Sequence, residues 1–504
     1  MTRAARQRGL AALVAGGCLA AVAAVGTAGG AEPAQPAAPS AQTAPAAPLV
    51  WTQCPDSPRG IECSSVQVPV DWAQPGGPAI TVRFNRRRAD HPRKRVGTLF
   101  FHPGGPGDGA ISYVAHARAV FTPAVRARFD LIGIDPRGFG ASTPIRCGLP
   151  TRPRGYRLFP RTRAEFQRMV DHNTALGESC LRETGPLVGH ADAASVAEDM
   201  EAVRAALGVP KLDYLGLSYG TQVGAIYAER HPDRVRSMVL DASLEHAAPL
   251  SLMIAGEINS VEDAFDRFAR WCRTARTCAL RGQPVGRVYD RLVARAERHP
   301  MPVRGAEHPV TGEDIRLGTG RFLTFKEPAI FGPTMSWAAL SRAIRAAVHG
   351  DATGFAVAHL TPDEANAEYN SLAVSCGDYG SDVHTWAEMR RRLQLGRRLA
   401  PHLQGASQFW TSLQCAGWPL PPSNPPRRLD VRGVPPILLV NATHDPSTNY
   451  VWAHSLAEQI EGSVLLTRIG DGHTSYFTSH CAQAAIDRYL VTGKTPPPDA
   501  ICRR

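Results

Sequence analysis

The sequence predicts an α/β fold in which helices cover both faces of a mostly parallel sheet and a mainly helical segment is inserted late in the chain. Short apolar runs bounded by turn residues recur along the chain, and helical stretches separate them. Strands that alternate with helices favour a parallel sheet buried on both faces. After Asp241 mostly helical patterns replace the short runs until Pro436. This change of rhythm predicts the insertion.

The individual elements follow from local periodicity. Two early runs on either side of a Gly-Gly-Pro turn alternate between apolar and polar residues, as neighbouring strands do. Val196, Met200 and Val203 recur at helical spacing and predict a helix over 193–207. Strands are predicted at 66–70, 80–88, 97–101, 129–134, 212–215, 235–240, 436–441 and 463–468.

The first thirty residues have the features of an export signal. Arg3, Arg6 and Arg8 precede an apolar run over 10–25, and small residues follow that run. The run is shorter than the roughly 20 residues that a membrane-spanning helix needs. A positive start, a short apolar run and small residues are typical of a secretory signal peptide. We therefore expect a secreted protein with no stable membrane insertion after the signal is removed.

These patterns divide the chain into five segments. The second of them consists almost entirely of Ala, Pro, Gln, Ser and Thr, so it cannot bury a core. We expect a signal peptide at 1–30, an Ala/Pro-rich linker or short pro-segment at 31–48, the first part of the α/β core at 49–244, a helical cap insertion at 245–428 and the C-terminal part of the core at 429–504.

The charge pattern does not predict an anionic partner. The formal net charge is +11, and the basic residues are almost all arginines, with lysine only at 94, 211, 326 and 494. The densest basic run, over 86–95, is divided by Asp90 and Pro92 and has no aromatic residues between the charges. A run of this kind is usually a solvated turn. We expect no nucleic-acid partner.

Sequence motifs for metals and nucleotides are missing. The chain has no His-Glu-x-x-His, no paired Cys-x-x-Cys and no Gly-x-x-x-x-Gly-Lys loop. The Gly-rich stretch 104–109 lacks a third glycine at the spacing of a dinucleotide-binding loop. We therefore expect no metal ion and no organic cofactor.

The cysteines predict disulfide bonds. One of the 11 cysteines, Cys18, lies in the predicted signal peptide, which leaves an even number in an exported chain. Connectivity does not follow from sequence alone, and we expect nearest neighbours to pair as structural links. The expected pairs are Cys54–Cys63, Cys147–Cys180, Cys272–Cys278, Cys376–Cys415 and Cys481–Cys502.

A serine nucleophile is predicted at Ser218. The stretch Gly216-Leu-Ser-Tyr-Gly220 follows a predicted strand and precedes an apolar helix. In a Gly-x-Ser-x-Gly motif of this kind the two glycines permit a sharp strand-to-helix turn that exposes the serine hydroxyl. The motif is common by chance, and its position between a strand and a helix is what favours the nucleophile.

A serine nucleophile needs a base and an acid that orients the base, and both follow Ser218 in this fold class. Asp445 comes directly after a predicted strand, and His473 lies in a Gly-flanked loop after the last predicted strand. Parallel strands bring both loops to the edge of the sheet where Ser218 lies. We therefore predict Asp445 as the acid and His473 as the base. The rivals are Asp241 for the acid and His444, His454 and His480 for the base.

Stabilising the oxyanion of an acyl transfer requires two backbone N–H donors. The residue after the nucleophile, Tyr219, should supply one. The loop at Gly104 and Gly105 should supply the other, because residues without side chains let the backbone approach a substrate.

Taken together, these motifs resemble the secreted tripeptidyl aminopeptidases, which are α/β-hydrolase serine peptidases related to the proline iminopeptidases. The resemblance extends from about Trp51 to Cys502, and five motifs in order carry it. One departure is His102, where the family usually has Asn. The motifs are His102-Pro-Gly-Gly-Pro-Gly, Asp135-Pro-Arg-Gly-Phe-Gly-Ala-Ser, Gly216-Leu-Ser-Tyr-Gly-Thr, Asp445-Pro and Gly472-His473.

The resemblance implies hydrolysis of peptide substrates, with short peptides of three residues released from a free N-terminus through an acyl-enzyme on Ser218. It implies no metal or cofactor. Reading the substrate ammonium requires a carboxylate, and the cap offers Glu364, Glu368 and Asp378 as candidates. For each of these three a solvated helix face is the ordinary alternative. A carboxylesterase or lipase needs the same three catalytic residues and is the alternative function.

Overall fold

A ten-stranded sheet forms the centre of the computed structural model, which describes residues 48–328, 334–407 and 413–503. The predicted signal peptide, and all but the last residue of the predicted linker, lie outside this part of the chain. The strands are β1 (Thr52–Gln53), β2 (Ile61–Pro69), β3 (Ala79–Arg87), β4 (Gly97–His102), β5 (Phe129–Ile134), β6 (Leu212–Leu217), β7 (Val235–Asp241), β8 (Leu438–His444), β9 (Val464–Asp471) and β10 (Ile501–Arg503).

The strand order is β1-β2-β3-β5-β4-β6-β7-β8-β9-β10. The pairs from β5 through β10 are parallel, whereas β1, β2 and β3 join antiparallel at one edge. The predicted fold class, a mostly parallel sheet with helices, is confirmed. The two edge strands β1 and β10 escaped prediction because strands of two and three residues are too short to show a period.

Helices precede and follow the strands through most of the chain. The predicted helix over 193–207 is confirmed within one residue. The helices are α1 (Ile111–Ala115), α2 (Ala117–Val120), α3 (Pro123–Arg128), α4 (Arg163–Thr184), α5 (Ala193–Ala206), α6 (Tyr219–Arg230), α7 (Leu250–Cys272), α8 (Val285–Arg298), α9 (Gly312–Leu323), α10 (Trp337–Val348), α11 (Pro362–Asp378), α12 (Trp386–Leu399), α13 (Tyr450–Ala457) and α14 (His480–Thr492).

The sheet separates two hydrophobic cores. Successive residues of a strand point to opposite faces. Accordingly Tyr214 packs into one core while Leu215 packs into the other. The larger core also takes in α4, α5 and α6, and the smaller one takes in α3 and α14. Because both faces of the central strands carry apolar side chains, these strands appear in the sequence as continuous apolar runs.

Six described helices, α7 to α12, lie between β7 and β8, although these two strands are neighbours in the sheet. The long helix α7 buries Met253, Ile258, Phe265 and Phe268 in the larger core. The helical segment is therefore continuous with the core of the sheet through its apolar residues. In the described residues, no helix is both long and apolar enough to cross a membrane.

All five expected disulfide pairs are confirmed. In four of them the Cα atoms are 5.0 to 5.6 Å apart, within the usual range for disulfide bonds, and in Cys147–Cys180 they are 4.1 Å apart. One bond, Cys376–Cys415, joins α11 to a residue 39 positions later. The bond between Cys272 and Cys278 closes a short loop at the end of α7.

Candidate active site

Ser218 stands on a strained turn between β6 and α6. Its φ is +54° and its ψ is −124°, a conformation that residues with a side chain rarely adopt. Both flanking glycines are required by contact: a Cβ on Gly216 would lie 2.5 Å from the Tyr214 ring, and a Cβ on Gly220 would lie 2.9 Å from the His102 carbonyl oxygen. The sharp turn leaves the Ser218 side chain partly accessible to solvent.

Asp445 and His473 are in direct contact. Both carboxylate oxygens of Asp445 lie 2.9 Å from Nδ1 of His473. The backbone N–H groups of Ser447 and Thr448 also donate to Oδ1, which fixes the carboxylate in place. Because Nδ1–H points at the carboxylate, Nε2 of His473 is left free to accept a proton. This is the arrangement that a general base requires.

The loop that carries His473 is held from two sides. The buried guanidinium of Arg468 donates to the carbonyl oxygens of Asp471 and Gly472, at 3.0 and 2.6 Å. On the other side the His473 N–H donates to the carbonyl oxygen of Thr324 at 2.8 Å. The position of the imidazole therefore depends on the helical segment as well as on the sheet.

Asp471, beside this loop, adds a charged link to the same helical segment. It forms ion pairs with Arg267 and, at 2.8 Å, with Lys326. Burial alone would raise the pKa of Asp471, but hydrogen bonds from these two cations hold it below its usual value. An ionised Asp471 therefore anchors the loop at neutral pH.

Asp241, the alternative candidate for the acid, has a different role in the structure. Its carboxylate accepts the backbone N–H groups of Ser475 and Tyr476 at 2.7 to 2.9 Å, and no hydrogen bond joins it to His473 in the described residues. Its own carbonyl oxygen accepts the Ser218 N–H at 3.0 Å. Burial raises the pKa of Asp241 to about 6. Asp241 thus connects the serine turn to the histidine loop.

The rival histidines are placed elsewhere. His444 Nδ1 lies 2.8 Å from a carboxylate oxygen of Asp263. His454 packs its ring against Tyr450 on α13, and His480 is exposed at the start of α14. No hydrogen bond or ion pair joins the side chain of any of these three to Asp445 in the described residues. The structure therefore brings together Asp445 and His473 from the predicted set, and Asp241 links Ser218 to the loop that carries His473.

The predicted oxyanion loop lies against the nucleophile. A Cβ on Gly104 would be 2.8 Å from Ser218 Cβ, so only glycine allows this approach. The Gly104 N–H, however, donates to Nδ1 of His102 at 3.2 Å. Gly105 is exposed, and no acceptor for its N–H is found in the described part of the chain. Of the two predicted glycines, Gly105 is the better placed donor.

Tyr219 is suited to be the other donor. It is the first residue of α6, so its N–H has no carbonyl partner within the helix. The positive end of the helix dipole also lies at this position and favours a developing negative charge. The Tyr219 side chain is buried and points away into the protein, where its hydroxyl donates to Asp378.

His102 has a role that sequence reasoning missed. Burial lowers its pKa to about 4, so the ring is neutral at neutral pH. Its Nδ1 accepts from Gly104, and its buried Nε2 has no hydrogen-bond partner in the described residues. The neutral ring therefore fixes the Gly104 end of the loop. The departure from Asn at this position was the available signal.

The three cap carboxylates predicted to bind a substrate ammonium all lie on α11, but the structure does not bring them together. Glu364 closes a capping box with Thr361 at the start of the helix. Glu368 accepts from the Thr151 hydroxyl. Asp378 is fully buried at the other end of the helix. Each of the three carboxylates accepts a hydrogen bond from another part of the protein.

Of the three carboxylates, Asp378 has the most strongly shifted pKa. Its oxygens accept from the Ala193 N–H, from Asn424 Nδ2 and from the Tyr219 hydroxyl, at 3.1, 2.7 and 2.7 Å. Burial, followed by the nearby negative charge of Asp192, raises the pKa of Asp378 to about 7. The carboxyl joins the end of α11 to the residue that follows the nucleophile.

No group of three or more His, Cys, Asp or Glu side chains suited to a metal ion occurs in the described residues. The chemistry that the site offers is that of an activated serine. A serine on a strained strand-to-helix turn and a histidine oriented by a buried carboxylate are the features of a serine hydrolase on an α/β-hydrolase fold.

Comparison with known proteins identifies the family. A family model described as TAP-like protein matches residues 401–502. The serine protease Hip1 of Mycobacterium tuberculosis is 31% identical over 488 residues, which cover 90% of this chain and 90% of the relative. The tripeptidyl aminopeptidase of Streptomyces lividans is 28% identical over 477 residues, 90% of this chain and 86% of the relative. The chain belongs to the tripeptidyl aminopeptidase family of α/β-hydrolase serine peptidases.

A third relative has a different activity in its name. Carboxylesterase B of Mycobacterium tuberculosis is 32% identical over 480 residues, which cover 88% of this chain and 86% of the relative. Relatives named as peptidases and as an esterase therefore match this chain to a similar degree. Membership in the family establishes a serine hydrolase and leaves its substrate to be decided by experiment.

Proposed function

We propose that this protein is a secreted serine exopeptidase that releases short peptides, three residues long, from free N-termini. Ser218 is the nucleophile, His473 the base and Asp445 the acid that orients the base. The observation that carries the catalytic part is the 2.9 Å contact of both Asp445 oxygens with His473 Nδ1. The name of the Streptomyces lividans relative supports the peptidase specificity.

In the first half of the reaction, Ser218 Oγ attacks the scissile carbonyl carbon while His473 Nε2 takes its proton. The carbonyl oxygen becomes an oxyanion, which the N–H groups of Tyr219 and Gly105 stabilise. His473 then gives the proton to the leaving amine, and the C–N bond breaks. In the second half, His473 activates a water that attacks the acyl-enzyme and releases the short peptide.

The position of α11 supports exopeptidase action. A Cβ on Gly107, in the oxyanion loop, would meet the Ala367 carbonyl oxygen at 2.8 Å. At its other end the helix is joined to Tyr219 through Asp378. The helix is thus held against the oxyanion loop and, through a buried contact, against the start of α6. A helix this close to the oxyanion loop limits the length of chain that can lie beside that loop, as exopeptidase action requires.

The alternative is a carboxylesterase, which the third relative favours by its name. An esterase uses the same three residues and differs in its leaving group, an alcohol in place of an amine. Esters are the easier substrates, so ester hydrolysis alone does not distinguish the two functions. The distinguishing property is a requirement for the free substrate ammonium.

The test compares a tripeptide 4-nitroanilide bearing a free N-terminus with its N-acetylated form and with a 4-nitrophenyl ester. We expect rapid release of nitroaniline from the free-amine compound alone, and its loss in Ser218→Ala. Mono- and dipeptide anilides measure the length preference. Turnover of the ester with neither anilide cleaved would establish the esterase and overturn the peptidase.

We further propose that residues 1–30 direct export and that 245–428 form the cap over the site. Five disulfide bonds support an oxidising compartment. Mass spectrometry of the protein from the culture medium tests export directly. We expect a mature N-terminus near residue 31, and a protein retained in the cells with an intact N-terminus would contradict it.

A further inference from the structure

We propose that the carboxylate of Asp108 binds the free α-ammonium group of the peptide substrate. The inference depends on the exopeptidase function proposed above and names the group that reads the substrate N-terminus. Asp108 lies in the α/β part of the chain, on the same exposed loop as Gly105. It is therefore distinct from the three cap carboxylates that the sequence suggested.

Asp108 is an exposed carboxylate without a structural task. In the described part of the chain, no hydrogen bond or ion pair to its side chain is found, whereas Glu364, Glu368 and Asp378 each have partners. An exposed acid on a convex surface would be fully hydrated, but protein atoms around Asp108 raise the pKa of its carboxyl. Exposure combined with crowding is typical of the wall of a cleft.

The loop places this carboxylate close to the nucleophile. A Cβ on Gly104 would be 2.8 Å from Ser218 Cβ, and a Cβ on Gly105 would be 3.0 Å from the Asp108 nitrogen. The chain thus folds back tightly between the oxyanion donor and Asp108. Gly104 and Asp108 are four residues apart in sequence, so their Cα atoms lie at most about 14 Å apart even when the chain is extended.

The distance between the oxyanion loop at Gly104 and Asp108 fits a short peptide. In an extended tripeptide the ammonium nitrogen lies about 10 Å from the carbonyl carbon of the third residue. With that carbonyl at Ser218, the ammonium falls within the range that the Asp108 side chain can occupy.

The charges nearby favour a cation at this place. Desolvation by the surrounding protein atoms raises the pKa of Asp108, and no described cation offsets it. Its charge acts in turn on Tyr113, whose pKa is raised first by burial and then by Asp108. A carboxylate with a neutral aromatic neighbour and no basic partner is a suitable site for a substrate ammonium, because charge-assisted hydrogen bonds are the strongest available.

The test measures kcat/KM for Ala-Ala-Ala-4-nitroanilide, its N-acetylated form and a 4-nitrophenyl ester, in wild type and in Asp108→Asn. We expect the variant to lose about 10- to 100-fold on the free-amine compound, the loss typical of one charged hydrogen bond. Its rates on the acetylated compound and on the ester should stay within about twofold. Asp108→Glu, which retains the charge, should recover part of the loss.

Asp363→Asn is the matched control, because Asp363 is exposed at the start of α11. We expect it to leave all three rates unchanged. A wild-type preference for the free amine that persists in Asp108→Asn would overturn the assignment of Asp108 and leave the exopeptidase function standing. A wild type without any preference for the free amine would overturn both. The three alanine side chains exclude a basic side chain as the group that is bound.

Discussion

The Tyr219 hydroxyl donates a hydrogen bond to Asp378 Oδ2 at 2.7 Å, deep in the protein. Tyr219 follows the nucleophile, and Asp378 ends α11. The bond therefore couples the start of α6, where an oxyanion would be stabilised, to the helical segment that lies between β7 and β8. Asp378 is therefore a titratable group in direct contact with the residue that follows Ser218.

We expect Asp378→Asn to stabilise the protein at alkaline pH. The folded pKa of about 7 lies above the ordinary value of 3.8, so the native state holds the proton more tightly than the unfolded state. Stability from this group is therefore complete below about pH 4 and is lost as the pH rises to about 7. Asparagine mimics the protonated acid, and the Tyr219 hydroxyl, unlike the backbone N–H donors of Asp241, can rotate to accept from the new amide group. The variant should therefore gain on the order of 2 kcal/mol at pH 8.

Urea unfolding at pH 5 and pH 8 measures this difference. The gain over wild type should be small at pH 5 and larger at pH 8. Asp213 and Asp241, whose pKa values burial raises to about 6, change stability with the same sign in both proteins and cancel in the comparison. A variant that loses stability equally at both pH values would show that the ionised carboxylate is required.

Exchanging each of two buried aspartates for asparagine separates catalysis from positioning. Asp445→Asn should lower kcat by about 10⁴-fold with an intact fold, because the amide favours the wrong imidazole tautomer. Asp241→Asn should mainly reduce stability, by about 1–3 kcal/mol, because it turns an amide N–H toward the donors Ser475 and Tyr476. If Asp241→Asn kept its stability and cost more activity than Asp445→Asn, the acid would be misassigned.

Arg137→Met should be strongly destabilising. The guanidinium is fully buried, donates to both Asp199 oxygens at 2.7 and 2.6 Å, and donates to the carbonyl oxygens of Pro69, Val70 and His190. Removing one partner of a buried pair costs about 3–5 kcal/mol, since the other charge is left uncompensated.

The matched control for this substitution is Arg88→Met, which removes an exposed ion pair with Glu62. Pairs of that kind contribute about 0–1 kcal/mol. Equilibrium unfolding in urea should therefore separate the two variants clearly. Equal losses would show that the buried guanidinium network contributes no more than a surface pair.

The two disulfides between β7 and β8 should differ in their effect on stability. Replacing both cysteines of Cys376–Cys415 by serine should cost about 4 kcal/mol, and the same change at Cys272–Cys278 about 2 kcal/mol, because the residue separations are 39 and 6. The first change should also lower kcat, since Cys376 lies two residues before Asp378. Thermal unfolding and anilide hydrolysis of the two variants check both parts. A larger loss for the shorter loop would contradict the chain-entropy argument.

The central elements of this fold could be predicted from sequence because their strands are buried on both faces and bounded by turn residues. The choice of Asp445 and His473 depended on the same rhythm, since parallel strands bring their loops to one edge of the sheet. The short edge strands β1 and β10 carry too few residues to show a period.

The hydrogen bonds that hold the site residues in place were harder to predict, because they depend on the directions in which side chains point. Nothing in the sequence shows that Arg468 points into the His473 loop, or that Asp241 binds Ser475 in place of the imidazole. The structural role of Glu364, however, could have been predicted from the sequence. Thr361 three residues before it forms the Thr-x-x-Glu pattern of a capping box, which explains the carboxylate without a ligand.

The most direct test of the central claim is covalent labelling with a fluorophosphonate, located by peptide mass spectrometry. We expect one equivalent of label on Ser218 of the wild-type protein, in proportion to the loss of activity. Labelling should be at least about 10³-fold slower in His473→Ala, because the hydroxyl then lacks its base. Label on a different residue, or full activity in a protein labelled at Ser218, would contradict the account.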